Sequence, residues 1–219
     1  MAQKIRQIIS TLAIDVKSLN IDDRTSFRYL ADKFRDKIGY FLRLESRSRE
    51  FTKDLSIWKP IHCVELEEVA TNACGYKDDY NTLLKSKIKI PEAYNTPYGL
   101  LIKVLTIDSR YKFTQIASNQ YKDYTTLRYG GSNLLFWLED GHIFIPNSSL
   151  EAVKVLIIPK EPAEVDNLNN PCNCLYPLDG EVNYSDYLIT LAKKEVLAEL
   201  FPGKSITQDE KGNDNTNSK

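Results

Sequence analysis

The chain has 219 residues, with 29 Lys and Arg against 30 Asp and Glu for a formal net charge of −1, and 42% of its side chains are hydrophobic. The near-cancellation of charge excludes a uniformly basic nucleic-acid binder and an acidic disordered protein, and the apolar share is that of a folded chain able to bury one good core or two small ones. Thirteen Tyr and eight Phe against a single Met describe a protein rich in ring contact surface, which suits interfaces that are apolar at one end and wet at the other.

The N-terminal stretch from Met1 to Val16 is amphipathic, without the apolar h-region or small-residue cleavage site of a signal peptide. No later run approaches the ~18 uninterrupted apolar residues of a membrane span, so synthesis in the cytosol and no membrane partner are expected. Ile5, Ile8, Ile9, Leu12 and Val16 recur at helical spacing and predict a short helix from Lys4 to about Lys17. Asn20, Asp22 and Asp23 offer caps to a second, longer helix, whose apolar face runs through Phe27, Leu30, Phe34, Ile38, Phe41 and Leu42 to about Glu45. Its other face carries Arg24, Arg28, Lys33, Arg35, Lys37 and Arg43, continuing into Arg47 and Arg49.

From Trp58 the period shortens. Ile61, Cys63, Val64, Leu66 and Val69 read as a half-buried strand, and the β-prone runs around Leu83–Ile107 and Arg110–Ile116 are punctuated by Pro91, Pro97 and Gly99. Asp140-Gly141 between two apolar runs is the strongest hairpin signal, with arms at about Leu134–Leu138 and His142–Ile145. Val153, Val155 and Ile157 mark a further strand that stops at Pro159. Glu161–Gly180 is a polar, Asn- and Pro-rich connection; Asp186 to about Phe201 is a last amphipathic helix stopped by Pro202-Gly203, and the polar tail beyond it is expected to be disordered in isolation. The expected fold is α+β: an N-terminal helix pair (1–57), a central antiparallel β-sandwich or small barrel (58–165), a linker loop (166–182), a C-terminal helix (183–203) and a polar tail (204–219) that docks on neighbours.

Catalytic signatures are sparse. The chain has no Gly-rich phosphate loop, G-x-S-x-G elbow or H-E-x-x-H motif. His62, Cys63, Cys74, Cys172 and Cys174 lack the paired two-to-four-residue spacing of a zinc site, so no metal or cofactor is expected and the cysteines are expected as free thiols. Glu65 and Glu67 share a strand face, with Glu68 on the other; they read as a solvated face, with a small carboxylate hydrolase as the enzymatic alternative. Basic and aromatic residues interleave in Arg110-Tyr111-Lys112-Phe113 and Tyr121-Lys122-Asp123-Tyr124, an alternative reading as a single-stranded nucleic-acid binding module.

Charge is unevenly spread: residues 1–60 hold thirteen basic and eight acidic side chains, a local +5, and the remainder is −6. Either the basic helix face is solvated and stitched by pairs such as Asp32/Lys33/Asp36/Lys37, or opposite-sign ends meet between copies in a repeated assembly.

The order of these pieces carries a resemblance. The helix pair, the segment Cys63-Val-Glu-Leu-Glu-Glu-Val69 followed by Ala73-Cys74, the strand entry Ile90-Pro91, the hairpin Phe136–Asn147, the strand and proline turn Val153–Val165, and the final Lys/Glu-rich helix with its polar tail resemble the virion structural proteins of crAss-like and related tailed bacteriophages of Bacteroidetes, in particular the ring or connector proteins between portal and tail. The resemblance implies a structural role without a reaction: a homo-oligomeric ring of twelve copies matching the portal, in contact with portal and other connector or tail proteins, around the channel through which double-stranded DNA passes, in a virion assembled in the bacterial cytoplasm. The residues expected at subunit contacts are Arg24, Arg28, Arg35, Arg43 and Arg47 on the helix and Tyr111, Phe113 and Tyr121 on the sheet. Charge reversal at Arg28 and Arg35 together is expected to impair assembly and leave the fold intact.

Overall fold

The computed structural model describes residues 3–18, 25–46, 56–69, 82–97, 99–121, 134–170 and 175–202. In chain order the elements are β1 (Gln3–Lys4), α1 (Ile5–Ser18), α2 (Phe27–Glu45), β2 (Lys59–Glu68), β3 (Leu83–Ser86), β4 (Asn95–Thr96), β5 (Gly99–Leu100), β6 (Ile102–Thr106), β7 (Thr114–Gln115), β8 (Leu135–Glu139), β9 (His142–Pro146), β10 (Ala152–Ile157), α3 (Pro162–Asn169), β11 (Glu181–Val182) and α4 (Asp186–Leu200). The fold is α+β, a small barrel braced by a helical layer.

The helices form where the apolar spacing places them. α1 buries Ile5, Ile8, Ile9, Leu12 and Val16; α2 buries Leu30, Phe34, Ile38 and Leu42 and begins at Ser26, whose hydroxyl accepts from the Tyr29 amide, an ordinary N-cap. The expected caps at Asn20, Asp22 and Asp23 lie outside the described residues. α4 starts in the same way, with the Ser185 side chain accepting from Leu188 N. α1, α2 and α4 share one apolar core, so both ends of the chain build a single layer. A two-stranded β1–β11 pair and a bond from Ile5 N to Gly180 O at 3.2 Å tie the two ends together.

Seven strands form one sheet in the order β6-β10-β2-β3-β9-β8-β7, antiparallel except for the β7–β8 pair. Residues 111–116 then close it. Phe113 N donates to Val104 O on β6, while Thr114 N and Ile116 N donate to Leu134 O and Phe136 O beside β8. The nearly closed barrel is filled by inward side chains such as Ile61, Val64, Val104, Ile143 and Val155. A smaller cluster packs on the outside of β3, β8 and β9, where Trp137 stacks on Phe144 with ring centroids 5.8 Å apart.

Two details depart from simple periodicity. In β2 the register with β10 shifts between Ile61 and Val64, so Lys154 opposes both His62 and Cys63, and both of these are exposed; this is a β-bulge, and it turns Cys63 outward where strict alternation would not. The connection read as a linker contains α3, which starts on Pro162, a residue pre-set for a first helical turn, and anchors through buried Ala163 and Val165. The Asp140-Gly141 hairpin forms as expected, with φ of 51° and 80° at its two central residues, the left-handed pair that a two-residue turn between right-twisted strands requires.

Candidate assembly surface

The basic face of α2 is largely engaged within the chain. Lys33 and Lys37 both reach Glu199 on α4, the latter at 2.8 Å. Arg35 takes both oxygens of Glu161 and also approaches Asp32 one turn back at 3.3 Å. Arg6 pairs with Asp179 at 3.0 Å, and Lys59 Nζ lies 2.6 and 2.7 Å from the two Asp166 oxygens. In every pair but Arg35–Asp32 a cation from residues 1–60 meets a carboxylate from the remainder. The opposite charges of the two parts therefore meet inside one chain, in addition to any meeting between copies.

These contacts leave electrostatic marks. The Glu199 carboxyl is held down at about 2, first by its hydrogen bond from Lys33 and then by that from Lys37, and Lys33 is raised mainly by Glu199. Glu161 is instead raised, because burial outweighs the attraction of Arg35. Behind it, burial pushes the Tyr94 hydroxyl up to about 12 and the Tyr184 hydroxyl up as well, and the two rings share a hydrogen bond.

Of the residues expected at subunit contacts, Arg28 is exposed and makes no ion pair among the described residues. Arg43 is exposed, with its Nε donating to Asn95 O at 3.1 Å, and Tyr111 is 63% exposed at the β6–β7 turn. Arg35 is committed to Glu161. Arg24 and Arg47 lie outside the described residues, as do Cys74, Cys172, Cys174 and the tail beyond Pro202. Phe113 and Tyr121 face inward, 1% and 5% exposed. Phe113 sits where the chain crosses from β6 to β8 and fills the barrel; Tyr121 packs near Trp137 and its hydroxyl accepts from Asn147 Nδ2. Both rings belong to this chain's own core and present no surface to a neighbour.

The alternative chemistries find little support in the geometry. With Phe113 and Tyr121 inside and Arg110 paired to Asp108, the proposed stacking platform for bases reduces to Tyr111 and Lys112, Tyr124 being outside the described residues. Glu65 lies on the solvent face with Lys87 Nζ at 2.8 Å, which lowers its carboxyl from the ordinary value. His142 Nδ1–H donates to the Ser86 carbonyl at 2.8 Å, a strand-to-strand tie. No three potential metal-binding side chains cluster among the described residues, and no described helix is long and apolar enough to cross a membrane.

Sequence reading missed Glu161, Asp166, Asp179 and Glu199 as partners, and Gly180 as a contact point. Position alone gave a hint for Glu161, which directly precedes a helix-starting proline. For the others no local signal exists, since each pair spans more than a hundred residues.

A nearly closed barrel is braced by one helical layer that draws α1 and α2 together with α4. The family model described as phage tail ring protein 2 matches residues 7–218, and the chain belongs to that family of crAss-like phage ring proteins. No curated protein matches it. Family membership makes it a structural component of a phage tail ring, and hence of the virion, and points to a non-enzymatic role.

Proposed function

We propose that the chain is the subunit of a closed homo-oligomeric ring at the head–tail junction, seated between portal and tail proteins and surrounding the channel through which double-stranded DNA passes. Twelve copies match the portal in this reading, and the ring is assembled in the host cytoplasm. The observation that supports it most is the family match, which takes in barrel and helical layer together. The surface is consistent with such use: Ile14, Tyr111, Tyr176 and Tyr187 are large apolar or aromatic side chains left exposed, on four different segments of the chain, and Tyr is favoured at interfaces.

Heterologous contacts between identical copies close into a ring when the rotation between neighbours divides a full turn. A weakly charged chain also suits a DNA channel, since strong phosphate contacts would tether the duplex through counterion release. The test is co-expression with the portal and tail proteins, purification through a tag on this chain, and negative-stain imaging. Rings on the portal are the expected result; a chain that remains monomeric and co-purifies with neither portal nor tail proteins contradicts the reading.

A further inference from the structure

The turn that leaves β6 is tightly bonded within itself and exposed at its surface. Ser109 N donates to Thr106 O at 2.8 Å and Thr106 N to Tyr111 O at 3.0 Å, while Ser109 takes a left-handed φ of 60°. Asp108 accepts from the Thr106 hydroxyl and from the Arg110 amide, which together hold its carboxyl below the ordinary value, and the Thr106 hydroxyl also accepts from Tyr111 N at 3.2 Å. Lys154 on β10 braces the turn through Ser109 Oγ at 3.3 Å. Val104 and Phe113 belong to the barrel interior, so alternation from each of them sets Ile107, Arg110 and Lys112 on the outer side. Ile107 is 51% exposed, and both cations are exposed; Arg110 is paired with Asp108, and Lys112 makes no ion pair among the described residues. A pre-ordered turn loses little conformational freedom when a partner covers it.

A complementary surface lies at the other end of the body. Lys59, Ile157 and Ile102 pair in one row across β2, β10 and β6, and their neighbours Trp58, Ile158 and Leu101 join the core of the helical layer. The layer therefore packs at that end of the three strands, and the 106–112 turn stands at the opposite end, where Thr106 pairs with Val153. Between α2 and α4 the layer has a groove of about 420 Å³ lined by Lys33, Asp36, Lys37, Tyr40, Glu195 and Glu199. Both lysines are tied to Glu199, whereas Asp36 and Glu195 are exposed and make no ion pair among the described residues. Tyr40 is 53% exposed at the rim, with Leu44 47% exposed one turn on. The groove side chains carry a net −1, and residues 106–112, with one Asp, one Arg and one Lys, a net +1. Apolar side chains beside unpaired charge of opposite sign, at opposite ends of one body, are the two unlike patches that a head-to-tail contact between identical copies joins. Other hollows suit the turn less: the cleft beside β4–β5 adjoins the turn itself, being lined by Lys112, and at the hollow near Asp166 that carboxylate is already held by Lys59.

We propose that the outer side of the 106–112 turn docks in the α2–α4 groove of the adjacent copy, with Ile107 against Tyr40, and Arg110 and Lys112 beside Asp36 and Glu195. The proposal rests on the ring reading above and names a contact that closes the ring. Its test is assembly of the full-length chain, alone and with the portal, followed by light scattering and negative-stain imaging. Lys112→Glu changes the charge of the turn from +1 to −1, and Glu195→Lys that of the groove from −1 to +1. Each alone is expected to lower the assembled fraction about tenfold, with a melting temperature within about 3 °C of wild type. The chain carrying both is expected to recover rings, because opposite charges meet again; the two positions lie at opposite ends of one chain, so the recovery reports a contact between copies. Normal rings from either single variant, or a loss that the double variant does not restore, overturns this contact and leaves the ring reading standing. A wild-type chain that forms no ring overturns the ring reading itself. If Lys112→Glu leaves rings intact but abolishes their attachment to the portal, the turn meets a different protein and the proposed occupant is wrong.

Discussion

Arg35 and Glu161 meet as a two-pronged pair: Nη1 lies 2.8 Å from Oε1, and Nη2 donates to Oε2 at 2.8 Å. The pair joins the middle of α2 to the residue before α3, with side chains 18% and 29% exposed. Tyr94 Oη adds a long bond of 3.4 Å to the Arg35 carbonyl. The helical layer is thus fastened to the end of the barrel by a planar charge-assisted fork, the geometry for which Arg is suited and Lys is not.

Loss of the fork is expected to cost stability before it affects assembly. Arg35→Ala should destabilise the chain by about 1–3 kcal/mol, because a half-buried carboxylate is left without its partner. Arg35→Lys should recover only part of this, and urea melts of both variants check it. Charge reversal at Arg35 sets a carboxylate against Glu161, so the double reversal at Arg28 and Arg35 does not test assembly in isolation as the sequence alone implied. Arg28→Glu alone does: its melting curve should match wild type, and ring yield reports whether that face makes contacts.

The α2–α4 latch has a pH signature. Glu199 sits at about 2 in the folded chain against an ordinary 4.5, so between those values the unfolded chain binds the proton more readily. The contribution of the latch is therefore present above about pH 4.5 and lost as pH falls toward about 2. Melting temperature should fall as the solution is acidified across that window, and fall less steeply for Glu199→Gln. Parallel curves would mean that Lys33 and Lys37 add nothing measurable through Glu199.

Gly180 should tolerate no side chain. A Cβ there would lie 2.4 Å from Ala163 N and 2.9 Å from Pro162 C, both backbone atoms at the start of α3, while its carbonyl holds Ile5 N. Gly180→Ala is expected to destabilise by about 3 kcal/mol or more through overpacking, read as a lowered urea midpoint. A midpoint equal to wild type would show that α3 can shift without cost.

Phe113 and Tyr111, two residues apart, should separate cleanly. Phe113→Ala empties the barrel wall and should cost about 3–5 kcal/mol. Tyr111→Ala removes an exposed ring and should change stability by less than about 0.5 kcal/mol, so any loss of ring yield in that variant reports on a contact between subunits. Thermal melts measured beside assembly assays distinguish the two.

Local pattern made much of the fold legible. The apolar spacing of Ile5–Val16 and Phe27–Leu42, the Asp140-Gly141 turn, and the alternation of Val153, Val155 and Ile157 each depend on residues close in sequence, and each produced its element within a residue or two. What stayed hidden is non-local. Closure of the barrel depends on residues 111–116 pairing with both β6 and β8, which is why Phe113 looked like a surface ring and is a core one. The bulge at His62-Cys63 inverts the facing of Cys63, and its cause lies in the pairing with β10. The charge split between residues 1–60 and the remainder was visible, but not that Lys33, Lys37 and Arg35 would find Glu199 and Glu161 in the same chain, since sign does not reveal partner.

The central claim, a closed ring of identical subunits at the head–tail junction, is tested most directly by native mass measurement of the purified assembly formed with the portal. The account expects a discrete species containing twelve subunits of 25.1 kDa, with one closed ring visible per portal. A single copy per portal, or an open-ended ladder of masses with no closed species, would contradict it.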